Sequence, residues 1–170
     1  MRKFIILFMM IPGAFACNDD GIPGDSVDFY ALTDYQTQGP SMKIIESSVI
    51  LSDSLIIPYN EIIYYRSKTH TFFITEHLSD ILSDFEEHPL GRKPFAVVAD
   101  GELIYTGYFW YGFMSSGCDW VVIDPIDYSG ENKITVRLGY PGLIDGDQIP
   151  DKRNDPRLLR ILKKDRKLID

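Results

Sequence analysis

A chain of 170 residues that is 45% hydrophobic has enough apolar material for one independent core plus appendages. Its formal net charge of −8 excludes a general nucleic-acid binder, because phosphate contacts need a basic face. The charge is uneven: residues 17–150 carry 21 Asp or Glu against 7 Lys or Arg (net −14), whereas residues 151–170 carry 8 basic residues against 4 Asp (net +4). The basic end therefore reads as a separate object from the acidic body.

Residues 1–16 have the make-up of a targeting segment. Arg2 and Lys3 form a charged start, Phe4–Ile11 an apolar stretch too short to span a bilayer, and Pro12-Gly13 a break. Two readings stand at the cleavage point. Ala14 and Ala16 suit an ordinary signal-peptidase cut, while Cys17 directly after Ala16 has the place of the diacylated cysteine in a lipobox, although Ala14 stands where Leu is usual. The position of Cys17 favours the lipoprotein, anchored in the membrane through that residue. Cys118 is then a lone, buried thiol; with the ordinary cut, a Cys17–Cys118 disulfide becomes available in an oxidising envelope.

Residues 17–26 follow as the lipidated Cys and an acidic, Gly/Pro-punctuated tether. Asp19-Asp20 just behind the Cys also resemble the export signal of some outer-membrane lipoproteins, so the expected location is the outer membrane, on its periplasmic face or at the cell surface.

The folded domain is expected over 27–142. Val27–Thr33 reads as a first strand and Lys43–Leu51 as a weaker one, with Pro58 opening a short helix that carries Ile62 and Ile63, although a strand there stays open. Thr69–Ile74 reads as another strand. Thr75 then caps a helix over Glu76–Glu87, in which Leu78, Ile81, Leu82 and Phe85 keep the i, i+3, i+4, i+7 spacing. Phe95–Ala99 and Leu103–Trp110 flank Asp100-Gly101, the pattern of a hairpin on a type I′ turn. Both faces of these strands are apolar, which places the hairpin at the centre of a sheet. Trp120–Ile123 and Lys133–Leu138 continue as strands. The fold class is thus α+β: an antiparallel sheet with a central Asp-Gly hairpin and one or two helices packed on one face.

The order of helix, Gly91, PFAVVADGELIY, second strand, Ser/Gly loop and VVI strand resembles the first periplasmic domain of the SecD protein-export subunit, over about residues 49–125. With its Y-x-G-x-F-W continuation the segment is also similar to uncharacterised bacterial lipoproteins. The resemblance implies an α+β head. The membrane helices of SecD have no counterpart here, so a translocation motor is not implied.

Residues 143–170 form an acidic turn and a basic helix. Asn154 or Asp155 caps it, Pro156 suits its first turn, and Leu158, Ile161 and Leu162 make a narrow apolar stripe. Such a stripe predicts a loosely held tail outside the core, available to an anionic surface.

Candidate chemistry is sparse. A hydrolase would draw on Ser115 or Ser116, or on Cys118, with His70 as base, but neither G-x-S-x-G nor a cysteine-protease pattern is present. Asp145-Gly146-Asp147 with Asp151 has alternating oxygens but lacks the rest of a calcium loop, and His77 and His88 lack metal spacing. No metal or cofactor is expected. Tyr105, Tyr108, Trp110 and Tyr111 either offer an aromatic surface to an envelope protein or glycan, or are buried. The expected role is a non-catalytic binding or scaffolding lipoprotein; the alternative is the hydrolase.

Overall fold

The computed structural model describes residues 25–84, 86, 89–127, 129–143, 146 and 148–170. The targeting segment, Cys17 and the tether up to residue 24 lie outside the described residues, as do Phe85, Glu87, His88, Asp145 and Asp147.

The strands are β1 (Val27–Asp34), β2 (Ile50–Ile57), β3 (Ile62–Arg66), β4 (Thr71–Ile74), β5 (Pro94–Ala99), β6 (Glu102–Phe109), β7 (Cys118–Ile123), β8 (Lys133–Tyr140) and β9 (Leu168–Ile169). Two helices, α1 (Glu76–Ser83) and α2 (Pro156–Lys164), complete an α+β fold. Among the described residues the nine strands form one open sheet in the order β2-β1-β5-β6-β7-β8-β4-β3-β9. All pairs are antiparallel except β6–β7 and β3–β9. Among the described residues no helix is long and apolar enough to cross a membrane.

Across Asp100-Gly101, Ala99 pairs with Glu102 and both turn residues have positive φ, 57° and 75°. Gly101 takes that region without a Cβ penalty, and Asp is among the few other residues that tolerate it. β1 joins the far edge of β5 in regular register, Val27 opposite Ala99 and Ala31 opposite Phe95.

The sheet bends over on itself. Phe29 on β1 meets Phe72 on β4 edge-on at 5.2 Å, although five positions separate the two strands in the sheet order. Phe95 and Phe109 extend this aromatic stack. The opposite face is covered as well: Tyr35 packs its ring 6.1 Å from that of Tyr108, and Ile44 in the same connection is buried.

Several local expectations change. Lys43–Leu51 is not a strand: a 3-10 turn at Glu46–Ser48 interrupts it, and β2 begins at Ile50. Ser48 drives the turn, its hydroxyl donating to Ile45 O (2.6 Å) and accepting from Gln36 N (2.8 Å). After Pro58 comes a single 3-10 turn at Tyr59–Glu61, and Ile62–Arg66 is extended, as its β-branched and aromatic run favours. Helix α1 starts at the Thr75 cap, whose side chain accepts from Leu78 N, and stops at Ser83, short of Glu87.

The largest correction concerns the C-terminus. Helix α2 has the expected caps, with Asp155 accepting from Arg157 N and Pro156 in the first turn. It is not a loose tail, because Leu158, Ile161 and Leu162 are all 0% exposed and belong to the core. Its cations turn to the acidic body: Lys164 reaches Asp25 (2.6 Å) and Arg160 reaches Asp100 (2.6 Å). Such exposed pairs orient the helix but add little stability; the three apolar side chains hold it. Beyond the helix, β9 pairs with β3, Tyr65 opposite Leu168.

Candidate functional site

The connection from β6 to β7 shapes a groove that gathers Trp110, Ser116 and Cys118. Parallel neighbours usually need a dozen or more residues between them, whereas here residues 110–117 suffice. The strands overlap only at Tyr108–Val122 and Phe109–Ile123. The short return loop stays close to the sheet: Trp110 N donates to Ile123 O (2.8 Å), and the Trp110 indole Nε1 donates to Ser116 O (3.1 Å). Gly112 is held from two sides, by Asp124 Oδ2 on its N–H (2.9 Å) and by the Tyr140 hydroxyl on its carbonyl (2.5 Å).

Arg92 lies over this loop. Its φ of 64° is unusual for a residue with a side chain, and its N–H is tied to Phe109 O at 2.7 Å. The guanidinium carbon stands 5.3 Å from the centroid of the Trp110 ring, and Nη2 donates to Ser116 Oγ at 2.8 Å. A groove of about 470 Å³ runs beside it, lined by Pro40, Met42, Arg92, Trp110, Ser116 and Asp119 together with Gly117 and Cys118.

Asp119 closes the opposite wall. Its Oδ2 accepts from Ser41 Oγ (2.6 Å) and its Oδ1 from Met42 N (2.8 Å), joining the 41–42 segment to β7. Burial works to raise its pKa, but these hydrogen bonds outweigh burial and hold the carboxyl below the ordinary aspartate value. The groove thus presents an oriented guanidinium and an ionised carboxylate over an apolar floor.

The four aromatics for which an open surface and burial both stood are buried: Tyr105 and Trp110 at 2% exposure, Tyr108 at 1%, Tyr111 at 6%. The aromatic platform is therefore corrected to core, because the bent sheet covers one face of β6 and the Tyr35–Ile44 connection the other. Phe113, farther along the same loop, is exposed. Tyr105 is sealed so far inside that its hydroxyl has no hydrogen-bond partner among the described residues. Tyr111 instead anchors the chain before Arg92, its hydroxyl accepting from Leu90 N at 2.9 Å.

The hydrolase residues are not brought together. Ser116 and Cys118 line the groove, and Ser115 is exposed on the loop above it. His70 sits across β8: its carbonyl accepts from Val136 N, whereas Cys118 pairs with Tyr140. Four residues of strand, roughly 13 Å, separate those positions. The His70 ring is engaged elsewhere, with Nδ1 3.3 Å from the Tyr65 hydroxyl, and burial followed by the Arg153 charge lowers its pKa. His77 is exposed on α1, and the residues described include no group of three or more His, Cys, Asp or Glu poised around a metal.

Cys118 carries a free thiol at 3% exposure, with its pKa pushed up to about 11 by burial. It should therefore resist iodoacetamide at pH 8 in the native protein and react once urea unfolds the chain. Equal alkylation in both states would contradict the burial.

Arg92 and Asp119 escaped the sequence reading. Neither belongs to a motif, and what singles them out is a left-handed backbone conformation and contacts across more than 20 and more than 70 residues. No protein-family model, curated protein or solved structure matches this chain, so the groove is read from its own chemistry.

Proposed function

We propose that this chain is a lipoprotein of the bacterial cell envelope, acylated at Cys17 and held in the outer membrane, whose α+β domain binds a partner rather than catalysing a reaction. The observation that carries the reading is the N-terminal order: Arg2-Lys3, the apolar Phe4–Ile11, small residues at Ala14 and Ala16, and Cys17 at once after them. The acidic residues 18–26 then serve as the tether. The domain is organised on the Asp100-Gly101 hairpin with its helices on one face, in the manner of the SecD head. A binding role is supported by the groove beside Arg92, which has an apolar floor and few, oriented polar groups. The partner is an envelope protein or glycan; with a net charge of −8, nucleic acid is not a candidate.

Acylation is tested by growing cells on radiolabelled palmitate and partitioning the protein with Triton X-114. Wild type should carry label and enter the detergent phase, whereas Cys17→Ser should be unlabelled and remain in the aqueous phase. An unlabelled wild-type protein with a free thiol at Cys17 would overturn the lipoprotein reading.

A further inference from the structure

We propose that the groove beside Arg92 is a carboxylate-binding site, and that its ligand is the C-terminal end of a peptide with an apolar last residue. The inference rests on the binding role proposed above and names the chemistry of the partner.

Arginine presents a planar fork of donors that matches a carboxylate through two parallel hydrogen bonds. At Arg92 the fork is already oriented. The backbone is fixed by the bond to Phe109 O, one guanidinium face lies on Trp110, and Nη2 is held by Ser116 Oγ. Arg92 is exposed and lines the groove. Among the described residues Arg92 forms no ion pair, and its side-chain hydrogen bond goes to the neutral Ser116 hydroxyl. An arginine oriented this far without a carboxylate of its own is set up to receive one.

Asp119 decides which carboxylate fits. It is ionised and lines the opposite wall of the same groove, so a second full negative charge is disfavoured there and an N–H donor facing it is favoured. The end of a peptide has that arrangement: one terminal carboxylate, with the amide N–H of the same residue close behind it. A phosphate dianion does not. Pro40, Met42 and Trp110 supply an apolar surface for the last side chain, and a cavity of about 470 Å³ accommodates one or two residues.

The test uses the processed chain carrying Cys17→Ser, so that no lipid is present, in a ¹H–¹⁵N NMR titration that follows the Trp110 indole and Arg92 Nε signals. The probes are N-acetyl-Ala-Ala-Leu with a free carboxylate, the same peptide as its C-terminal amide, 4-methylpentanoate and inorganic phosphate. The free-acid peptide should shift both signals saturably, with the amide about tenfold or more weaker. Methylpentanoate, which lacks the N–H, should bind more weakly than the peptide, and phosphate should not displace it. Arg92→Lys should lose about tenfold while keeping the wild-type melting temperature, since the side chain is exposed. Acid and amide binding equally, neither binding, or displacement by phosphate would each overturn the proposal. The acid–amide comparison is made on the unsubstituted groove and needs no variant to fold. Palmitate labelling of the wild-type chain is independent of this result, so the groove and the anchor stand or fall separately.

Discussion

Leu162→Ala should destabilise the protein by about 2–5 kcal/mol, the usual cost of truncating a fully buried leucine. For a chain of this size that corresponds to a fall in Tm of roughly 4–20 °C. Leu162 is 0% exposed and lies with Leu158 and Ile161 in the same core as Phe29, Val97 and Tyr65. The cavity left behind cannot collapse easily, because strands hem it in and α2 is tied at both ends, by its Asp155 cap and by β9 on β3. Lys163→Ala, one residue on but exposed, should stay within about 0.5 kcal/mol of wild type. Removal of residues 151–170 takes away all three buried side chains and the β9 strand, so the shortened chain should lose its cooperative thermal transition. Scanning calorimetry on the three proteins decides the matter. If Leu162→Ala melts no lower than Lys163→Ala, the helix is not core.

Gly107→Ala is the second large effect, with an unusual sign for a β-strand. Replacing a strand glycine by alanine ordinarily gains about 0.5–1 kcal/mol through the unfolded state. At Gly107 a Cβ would stand 2.5 Å from Phe95 Cζ and 2.7 Å from the Val121 carbonyl oxygen. Gly107 lies directly opposite Phe95 in the β5–β6 register, so the aromatic ring covers the place where a side chain would be. The ring has little room to move, since Phe29 and Phe109 pack against it at 5.8 and 5.1 Å and it is 0% exposed. The carbonyl belongs to β7 and cannot move without the strand. Overpacking of this kind costs about 1–3 kcal/mol, which exceeds the gain. Phe95→Leu placed on Gly107→Ala should recover part of the loss, read as a coupling in a double-mutant cycle by urea denaturation. A neutral or stabilising Gly107→Ala would show that the two strands yield more readily than their packing implies.

Where sequence and structure part, the cause lies in which surfaces meet. Thr75 as a cap, Asp100-Gly101 at a turn and the alternation of Ile134 and Val136 depend on groups within a few residues, and each appears where the local chemistry puts it. Ser48 shows the limit of that approach: two short hydrogen bonds turn a stretch whose composition favours a strand. Tyr105 and Tyr108 show another. Period-2 alternation sends them to opposite faces of β6, but it says nothing of whether either face is open.

The sequence by itself determined the α+β class, the apolar strands around Asp100-Gly101, the capped helix after Thr75 and the capped basic helix at the end. Those features follow from periodicity, caps and turn residues, all of which act over a single turn or a pair of strands. Only the tertiary structure decided that α2 is core, that the aromatic run is sealed, that His70 is kept apart from Ser116 and Cys118, and that Arg92 is stacked and oriented over a groove. A three-residue apolar stripe looks too narrow to bury a helix until a bent sheet offers a matching hollow, and an arginine beside a glycine looks ordinary until a tryptophan 18 residues later is folded beneath it. Contacts between segments so far apart depend on the order of the strands, which local pattern does not encode.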